Sequence, residues 1–292
     1  MNFAQTELIT KGRWLKTLRL RNEWYDFVTQ PEQFVRELKE SKPRADLFTF
    51  LGEIPDRDTA KYPFFHEWET IAVLPITTYE HWWKNQINDK TRNMARKPGK
   101  KGVEIRLVEF SDDLVRGIMG INNDCPMRQG RPFWHYGADF ETTKRVNISY
   151  LETSQFVGAY LGDELIGYIK LVFGDRKASL MQILAKISQR DKAPTNGLMA
   201  KAVEICAARN IPHLHYALFS RRGLGEFKMN HAMEPWRVAR YFLPLNAKGS
   251  IALKLNLQHK WSDYLPGEWV DKLVDLRVKW YGNRVKDKAP PE

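Results

Sequence analysis

The stretch MQILAKISQRDKAPTNGLMAKAVEICAARN, residues 181–210, decides the fold, because it predicts a strand that leads directly into a helix. In its first half, apolar residues such as Ile183 alternate with polar ones such as Lys186, which is the period-two pattern of a strand. In its second half, Leu198 and Ile205 belong to one apolar stripe at helical spacing. A polar turn with one proline and one glycine connects the two elements.

This junction predicts an anion-binding site. The first turn of a helix leaves N–H groups without partners and carries a partial positive charge, and both favour a bound anion. Arg190 and Lys192 add positive charge beside the helix start. Thr195 or Asn196 is suited to cap the helix, and Gly197 would let a ligand approach the backbone. The alternative is an ordinary capped helix start whose charged side chains face solvent.

Composition indicates a folded protein with an anionic ligand. The chain has 292 residues, of which 43% are hydrophobic, enough for a sizeable core. Its formal net charge of +11 favours nucleic acid or a phosphorylated cofactor as a partner. Only two cysteines are present, and no apolar run is fit for a signal peptide or a membrane span. We therefore expect a cytoplasmic protein; its oligomeric state is not predicted.

The positive charge is concentrated in residues 81–106, which carry +6 of the +11. This concentration predicts a surface that binds nucleic acid, although a solvated helix face is the alternative. The candidate contact residues are Lys90, Arg92, Arg96, Lys97, Lys100 and Lys101.

The rest of the pattern predicts alternating strands and helices. One continuous helix is expected over 77–97, ended by Pro98-Gly99, and an irregular polar-aromatic loop over 125–137. Two strands joined at Gly162-Asp163 have the signal of a hairpin. The pattern also predicts a last strand over 250–257 and a C-terminal helix over 264–282.

Over residues 103–257 the predicted order is strand, two helices, three strands, helix, strand, helix and two strands. This order resembles the GNAT acyltransferase fold, a mixed sheet splayed between its fourth and fifth strands. The basic segment KTRNMARKPGKKGVEIR (90–106) and the segment GLGEFKMNHAMEPWRVARYFLPL (223–245), with its Phe-Lys pair, are similar to the FemAB branch. One feature differs from acetyl-CoA-dependent GNAT enzymes: the junction has Gly197 alone where those enzymes have a glycine-rich loop.

The resemblance implies an α/β (α+β) protein with a GNAT-like mixed, splayed sheet flanked by helices. It places an N-terminal α/β segment at 1–78, the FemAB-like acyltransferase domain at 79–260, and a C-terminal helix with a polar tail at 261–292. It implies transfer of an acyl group to an amine-bearing acceptor. The donor would be acyl-CoA, another acyl thioester on a carrier protein, or an aminoacyl-tRNA, with no metal. A nucleic-acid-binding or nucleic-acid-modifying protein of the same fold is the alternative function.

The resemblance also implies site residues. Lys228 would stabilise the anionic intermediate and Phe227 would shape the acceptor pocket. The loop 125–137 lies where this fold lines its acceptor site, and functional residues concentrate on such loops. Its candidate substrate-binding residues are Arg128, Gln129, Arg131 and Tyr136, and His135 is the candidate general base. The alternative is a loop that only packs over the sheet.

Overall fold

The structure is a computed structural model that describes residues 2–3, 6–28, 30–54, 56–219 and 223–259. The fold is mixed α+β, with strands of a large, mostly antiparallel sheet flanked by helices, as the sequence predicts. The chain divides into two compact units. Unit 1 comprises residues 1–87, 173–180 and 206–259, and the described residues of unit 2 are 88–172 and 181–205. The predicted domain boundaries after residues 78 and 260 stay predictions.

The described strands and helices alternate along most of the chain. The strands are β1 (Asn2–Phe3), β2 (Thr6–Lys11), β3 (Thr17–Leu20), β4 (Leu47–Leu51), β5 (Phe65–Pro75), β6 (Val103–Val108), β7 (Met127–Arg128), β8 (Arg131–Pro132), β9 (Ser154–Leu161), β10 (Glu164–Phe173), β11 (Ala178–Ala185), β12 (His213–Leu218) and β13 (Glu234–Pro244). The α-helices are α1 (Pro31–Glu40), α2 (Tyr79–His81), α3 (Asp89–Lys100), α4 (Asp112–Asn123), α5 (Phe140–Asn147), α6 (Pro194–Ala208), α7 (Gly223–Asn230) and α8 (Ala247–Lys254).

In unit 1 the strand order is β1-β2-β3-β4-β13-β5-β12. The long strand β13 pairs antiparallel with β5 on one side and with β4 on the other. All five residues of β4 are buried, which explains its mostly apolar sequence LFTFL. Helix α1 contributes Phe34 and Leu38 to the same core, and the rings of Phe34 and Phe48 stack with their centroids 5.3 Å apart.

The pairing between β11 and β12 is short. These strands run parallel, and their ladder contains two register pairs, Ala178 with Leu214 and Ser179 with His215. Counted from β6, they are the fourth and fifth strands of the GNAT-like order. A short ladder at this place is what a splayed sheet requires, and it agrees with the predicted fold class.

In unit 2 the strand order is β11-β10-β9-β6, to which β11 contributes its later residues. Strands β9 and β10 form the predicted hairpin, and Gly162 adopts the positive φ of 60° that its tight turn requires. Helix α4 begins after Ser111, whose side chain accepts a hydrogen bond from the N–H of Leu114. Its apolar face packs on Phe156 and Tyr168 of the sheet.

The continuous helix predicted over 77–97 is wrong. Thr78 caps α2, but a π-helical turn follows at Trp82–Gln86 and Ile87 is extended. Helix α3 then starts afresh, because the Asn88 side chain accepts the N–H of Thr91 at 2.9 Å. The helix also runs through Pro98 to Lys100 instead of ending before the proline.

The strand predicted over 250–257 is wrong as well. These residues belong largely to α8, which begins after Asn246, whose side chain accepts the N–H of Gly249 at 2.9 Å. The cap outweighs the alternating apolar residues that suggested a strand. Strands β2 and β3 lie where the sequence predicted no element. The C-terminal helix predicted over 264–282 lies outside the described residues.

Gly197 in α6 allows this helix to pack closely within unit 2. A Cβ atom added there would lie 2.3 Å from Cδ1 of Ile105 and 2.9 Å from Cγ of Pro98. The packing against β6 and α3 therefore accounts for the glycine. The proline that was expected to end α3 is one of the residues that fill this space.

We expect Gly197→Val to lower the free energy of unfolding by about 2 kcal/mol, because the new side chain overpacks the contact with Ile105. Gly99→Val is the matched control, since a Cβ atom there has nothing within 4 Å. Urea unfolding of both variants tests the assignment. Equal stability of the two would show that α6 does not depend on close approach at Gly197.

Candidate functional site

Lys228 is buried in unit 1 although it carries an ionisable group. It lies on α7 and is 2% exposed. Its Nζ donates hydrogen bonds to the backbone carbonyl oxygens of Tyr216 at 2.7 Å and of Leu218 at 2.6 Å. The Tyr216 ring centroid lies 4.3 Å from the same nitrogen. An ammonium has three N–H donors, so one N–H is not used in these two hydrogen bonds.

A β-bulge in β12 lies between the two carbonyls that hold Lys228. The register with β5 shifts between His215 and Leu218, and Ala217 has a φ of 44°, in the left-handed region. Such a conformation is uncommon for a residue with a Cβ atom and is often found near functional sites. The bulge therefore lies where β12 contacts Lys228, and at this place the strand departs from the regular ladder.

Burial lowers the pKa of Lys228 to about 8. The two carbonyl acceptors supply partial negative charge but no ionised partner. The side chain is thus a cation at neutral pH and titrates just above it, unlike an exposed lysine.

Phe227 and His231 complete the end of α7. Phe227 is half-buried, and its ring centroid lies 4.3 Å from that of His231. Nδ1 of His231 lies 2.8 Å from the Phe227 carbonyl oxygen, and burial lowers the pKa of this histidine to about 4. His231 is therefore neutral near pH 7. The role of Phe227 in shaping an acceptor pocket stays a prediction.

Two buried polar residues and one half-buried lysine of unit 1 had no place in the predicted site. Ser179 Oγ and His215 Nε2 form a buried hydrogen bond where the β11–β12 ladder ends. Burial, together with the charge of Lys177, lowers the pKa of His215 to about 3. Burial also lowers the pKa of Lys177 to about 7, and its Nζ has no hydrogen-bond partner among the described residues. Ser179 and His215 are polar residues inside strand patterns, but nothing in the sequence indicates that they meet.

Unit 2 contains a second buried lysine with similar surroundings. Lys170 on β10 is 0% exposed, and its Nζ donates to the carbonyl oxygens of Asn147 and Ser149. Burial lowers its pKa to about 8 as well. A buried lysine bonded to two carbonyls is therefore not by itself a mark of catalysis, and Lys170 is a natural control for Lys228.

The predicted anion site at the start of α6 has a different arrangement from the one expected. The helix begins at Pro194 itself, so Thr195 and Asn196 lie inside its first turn and do not occupy the cap position. Ala193, the residue before it, has a φ of 54°. The space beside Gly197 is filled by protein side chains. Ligand contacts by Thr195, Asn196 and Gly197 stay predictions.

A fixed turn carries the two cations of this predicted site. The carboxylate of Asp124 accepts the N–H of Ile187 at 2.5 Å and the hydroxyl of Ser188 at 2.5 Å, which holds the 3-10 turn Ile187–Lys192. Arg190 is exposed and makes no ion pair among the described residues. Lys192 lies 3.4 Å from the carboxylate of Asp191.

The sequence predicted an irregular loop over 125–137, but part of this segment is regular. Strands β7 and β8 form a small hairpin whose turn residues, Gln129 and Gly130, both have positive φ. Arg128 donates to the carbonyl oxygens of Ala185 at 2.8 Å and Ile121 at 2.9 Å. Two of its donors are therefore used in holding the loop to unit 2.

The other candidates of this loop differ in exposure. Gln129, Arg131 and Tyr136 are exposed. His135 is buried, and burial lowers its pKa, so the ring is neutral near pH 7 and able to accept a proton. The roles predicted for these residues in substrate binding and proton transfer stay predictions.

Helix α3 and Lys101, the residue after it, carry the cations predicted to contact nucleic acid, and that contact stays a prediction. Lys90, Lys100 and Lys101 are exposed and make no ion pair among the described residues. Arg92 instead bonds to the carboxylate of Asp89 at 2.7 Å. Arg96 is exposed and Lys97 is half-buried.

The described residues contain neither a metal-binding cluster nor a helix suited to span a membrane. Within the described ranges, no group of three or more histidine, cysteine or acidic residues is arranged to hold a metal ion. No helix in the same ranges has the length and apolar character needed to cross a membrane.

The fold is similar to those of several solved proteins. FemX has a TM-score of 0.61 and 10% sequence identity over 85% of this chain and 86% of its own. A C-terminal domain assigned to a lysylphosphatidylglycerol synthetase of Agrobacterium fabrum has a TM-score of 0.57 and 11% identity, over 85% and 82% of the two chains. L-PGS from Bacillus licheniformis has a TM-score of 0.54 and 10% identity, over 80% of each chain.

These likenesses confirm the predicted class of fold: the chain has a GNAT-like fold of the FemAB-like kind. The sequence matches no protein-family model and no curated protein. At about 10% identity, these similarities show the fold alone, and the chemistry depends on the residues of this chain.

We expect Lys177→Met to stabilise the folded protein at pH 6 and to lose this advantage as the pH rises. Below pH 7 the wild-type fold must bury a protonated Lys177, whereas the unfolded lysine keeps a pKa near 10.5. Between pH 7 and pH 10.5 the unfolded state binds more protons than the folded state. The free energy of unfolding of the wild type therefore rises with pH, by up to about 1.4 kcal/mol per pH unit. Urea unfolding from pH 6 to 10 measures the difference. A variant that tracks the wild type at every pH would show that Lys177 is solvated.

Proposed function

We propose that the chain is an N-acyltransferase or aminoacyltransferase that moves an acyl group from an activated carrier to an amine. The observation that carries the proposal is Lys228, a buried lysine with one N–H to spare, at the Phe-Lys pair of a FemAB-like fold. Support for this fold comes from the likeness to FemX and to the synthetase domains.

In such a transfer the amine nitrogen attacks the carbonyl carbon of the donor, and negative charge develops on the carbonyl oxygen. The bond from that carbon to the sulfur or oxygen of the carrier then breaks. The carrier leaves with the bonding electrons and gains a proton, while the nitrogen loses one. We assign to Lys228 the stabilisation of the negatively charged oxygen. Only the protonated side chain has a third N–H for this task, since two bonds go to Tyr216 and Leu218.

Two features favour an aminoacyl-tRNA over acyl-CoA as the donor. The start of α6 has one glycine, and its open side is filled by Ile105 and Pro98, so no glycine-lined loop is available for a pyrophosphate. The net charge of +11 also suits a large polyanionic carrier. The name lysylphosphatidylglycerol synthetase, attached to one of the similar structures, describes a product that carries an aminoacyl group. An acyl thioester remains the second donor class to be tested.

The proposal is tested by offering the purified chain each donor class with a panel of small amines. Charged tRNAs, acyl-CoAs and acylated carrier protein are compared for their effect on the melting temperature and for formation of a new amide by mass spectrometry. A productive donor should raise the melting temperature by mass action and lose its acyl group to an amine. If no donor of any class is bound or consumed, the chain is not this kind of transferase.

We expect Lys228→Met to lower kcat/KM by about 100-fold, a typical loss for one donor to an oxyanion. Lys170→Met is the matched control: it removes an equally buried lysine but should leave turnover of the folded protein unchanged. Both variants are compared at equal concentrations of folded protein. If the two variants lose activity alike, the effect of Lys228 is structural.

The pH dependence of turnover gives an independent test of the same role. Because the protonated lysine is the active form and its pKa is about 8, the ratio of wild-type to Lys228→Arg kcat/KM should be constant below pH 8 and fall as the pH rises through it. The arginine keeps its charge at all these values, and titration of the amine acceptor affects both proteins alike and cancels in the ratio. A ratio that stays level to pH 10 would contradict the assignment.

The exposed lysines of α3 and the adjoining Lys101 support a second candidate function, nucleic-acid binding by a GNAT-like protein. We expect the triple variant Lys90→Glu, Lys100→Glu and Lys101→Glu to abolish transfer from charged tRNA, with a steep dependence on salt, and to leave transfer from a thioester nearly unchanged. The same charge change at Arg36, Lys39 and Arg176, all exposed in unit 1, is the control. If the wild type binds nucleic acid but transfers no acyl group, and the triple variant loses that binding, the second function is favoured.

A further inference from the structure

Unit 1 contains a basic pocket that the proposed transfer reaction does not use. Its volume is about 300 Å³, near the lower end of the range for small-molecule sites. Three segments line it: the connection between β2 and β3, the residues just before β4, and the start of α8. The lining residues on which the argument rests are Arg13, Trp14, Lys16, Arg44, Asp46 and Lys248.

The positive charge of this basic pocket is mostly unpaired. The single carboxylate, Asp46, accepts the backbone N–H of Lys16 at 2.8 Å and lies 3.2 Å from Nζ of Lys248. The Asp46 carboxylate is therefore already bonded within the fold, and it neutralises the charge of one cation, Lys248. Arg13, Lys16 and Arg44 are exposed, and their side chains make no ion pair among the described residues. Three like charges held around one concavity attract an anion of matching size.

An aromatic ring lies beside these cations. Trp14 is 63% exposed, so most of its ring is open to solvent. Nζ of Lys248 lies 5.0 Å from its ring centroid and also donates to its backbone carbonyl, which fixes the Trp14 backbone. The exposed ring is therefore available for stacking.

We propose that the basic pocket binds a nucleotide of a single-stranded nucleic acid, with the base on Trp14 and the phosphates on Arg13, Lys16 and Arg44. Proteins bind single strands with this combination of a positively charged groove and aromatic stacking. An anionic membrane surface would use the same charges, but it is flat, whereas these cations surround a concavity that includes a carboxylate. This inference goes beyond the proposed transfer reaction, because it concerns binding and needs no turnover.

The test is fluorescence anisotropy of the full chain with a labelled six-nucleotide single-stranded RNA at 50 and 200 mM salt. We expect Trp14→Ala to weaken binding by about tenfold and Trp14→Phe to restore most of it, since a ring remains for stacking. The double variant Arg13→Glu and Arg44→Glu should weaken binding by at least tenfold and flatten its dependence on salt. Arg36→Glu with Arg176→Glu, which makes the same charge change outside the pocket, should leave binding unchanged.

The proposal would be overturned by any of three results. The first is an absence of RNA binding by the wild type at both salt concentrations. The second is RNA binding that the pocket variants leave intact but that charge reversal on α3 abolishes. The third is that vesicles containing phosphatidylglycerol, and not RNA, respond to the pocket variants. Because all the substituted side chains are exposed, equal melting temperatures of the variants should show that folding is preserved.

Discussion

A lysine that is 2% exposed must keep its amine hydrogen-bonded inside the fold, and β12 meets that requirement with two backbone carbonyls. The bulge at Ala217 lies between these carbonyls, and α7 brings Lys228 to them. Burial lowers the pKa of the lysine to about 8 while leaving it charged at neutral pH. The proposed chemistry depends on this balance, because a neutral amine bonded to two carbonyls has no third N–H to offer.

Burial alone does not distinguish Lys228 from the other lysines of this protein. Lys170 has the same kind of acceptors and a similarly lowered pKa, and Lys177 has a lower one without a hydrogen-bond partner among the described residues. What sets Lys228 apart is its place next to Phe227 in a FemAB-like fold, beside a strand with left-handed backbone. The role proposed for Lys228 therefore rests on a likeness of fold together with a local geometry, and neither would be sufficient by itself.

The sequence predicted most of the fold because its strands and helices carry strong periodic patterns. The β9–β10 hairpin and the Ser111 cap follow from local chemistry that a sequence displays directly. The errors arose where one local signal competed with another. A cap at Asn88 divided a helix that looked continuous, and a cap at Asn246 made a helix from alternating apolar residues.

The candidate site was less predictable, because long-range contacts decide what a residue does. Gly197 was expected to admit a ligand, yet its open side is filled by residues about a hundred positions away in the chain. Arg128 was expected to bind substrate, yet two of its donors hold backbone carbonyls. The Ser179–His215 bond joins residues 36 positions apart, so no spacing in the sequence could indicate it.

The most direct test of the central claim is the pKa of Lys228 itself. It can be measured by NMR titration of protein with carbon-13-labelled lysine, with Lys228→Arg used to assign the resonance. The account predicts titration near pH 8, well below the value of 10.5 for an exposed lysine. A pKa near 10.5 would mean that the side chain is solvated, and the role proposed for it in stabilising the reaction would then have no physical basis.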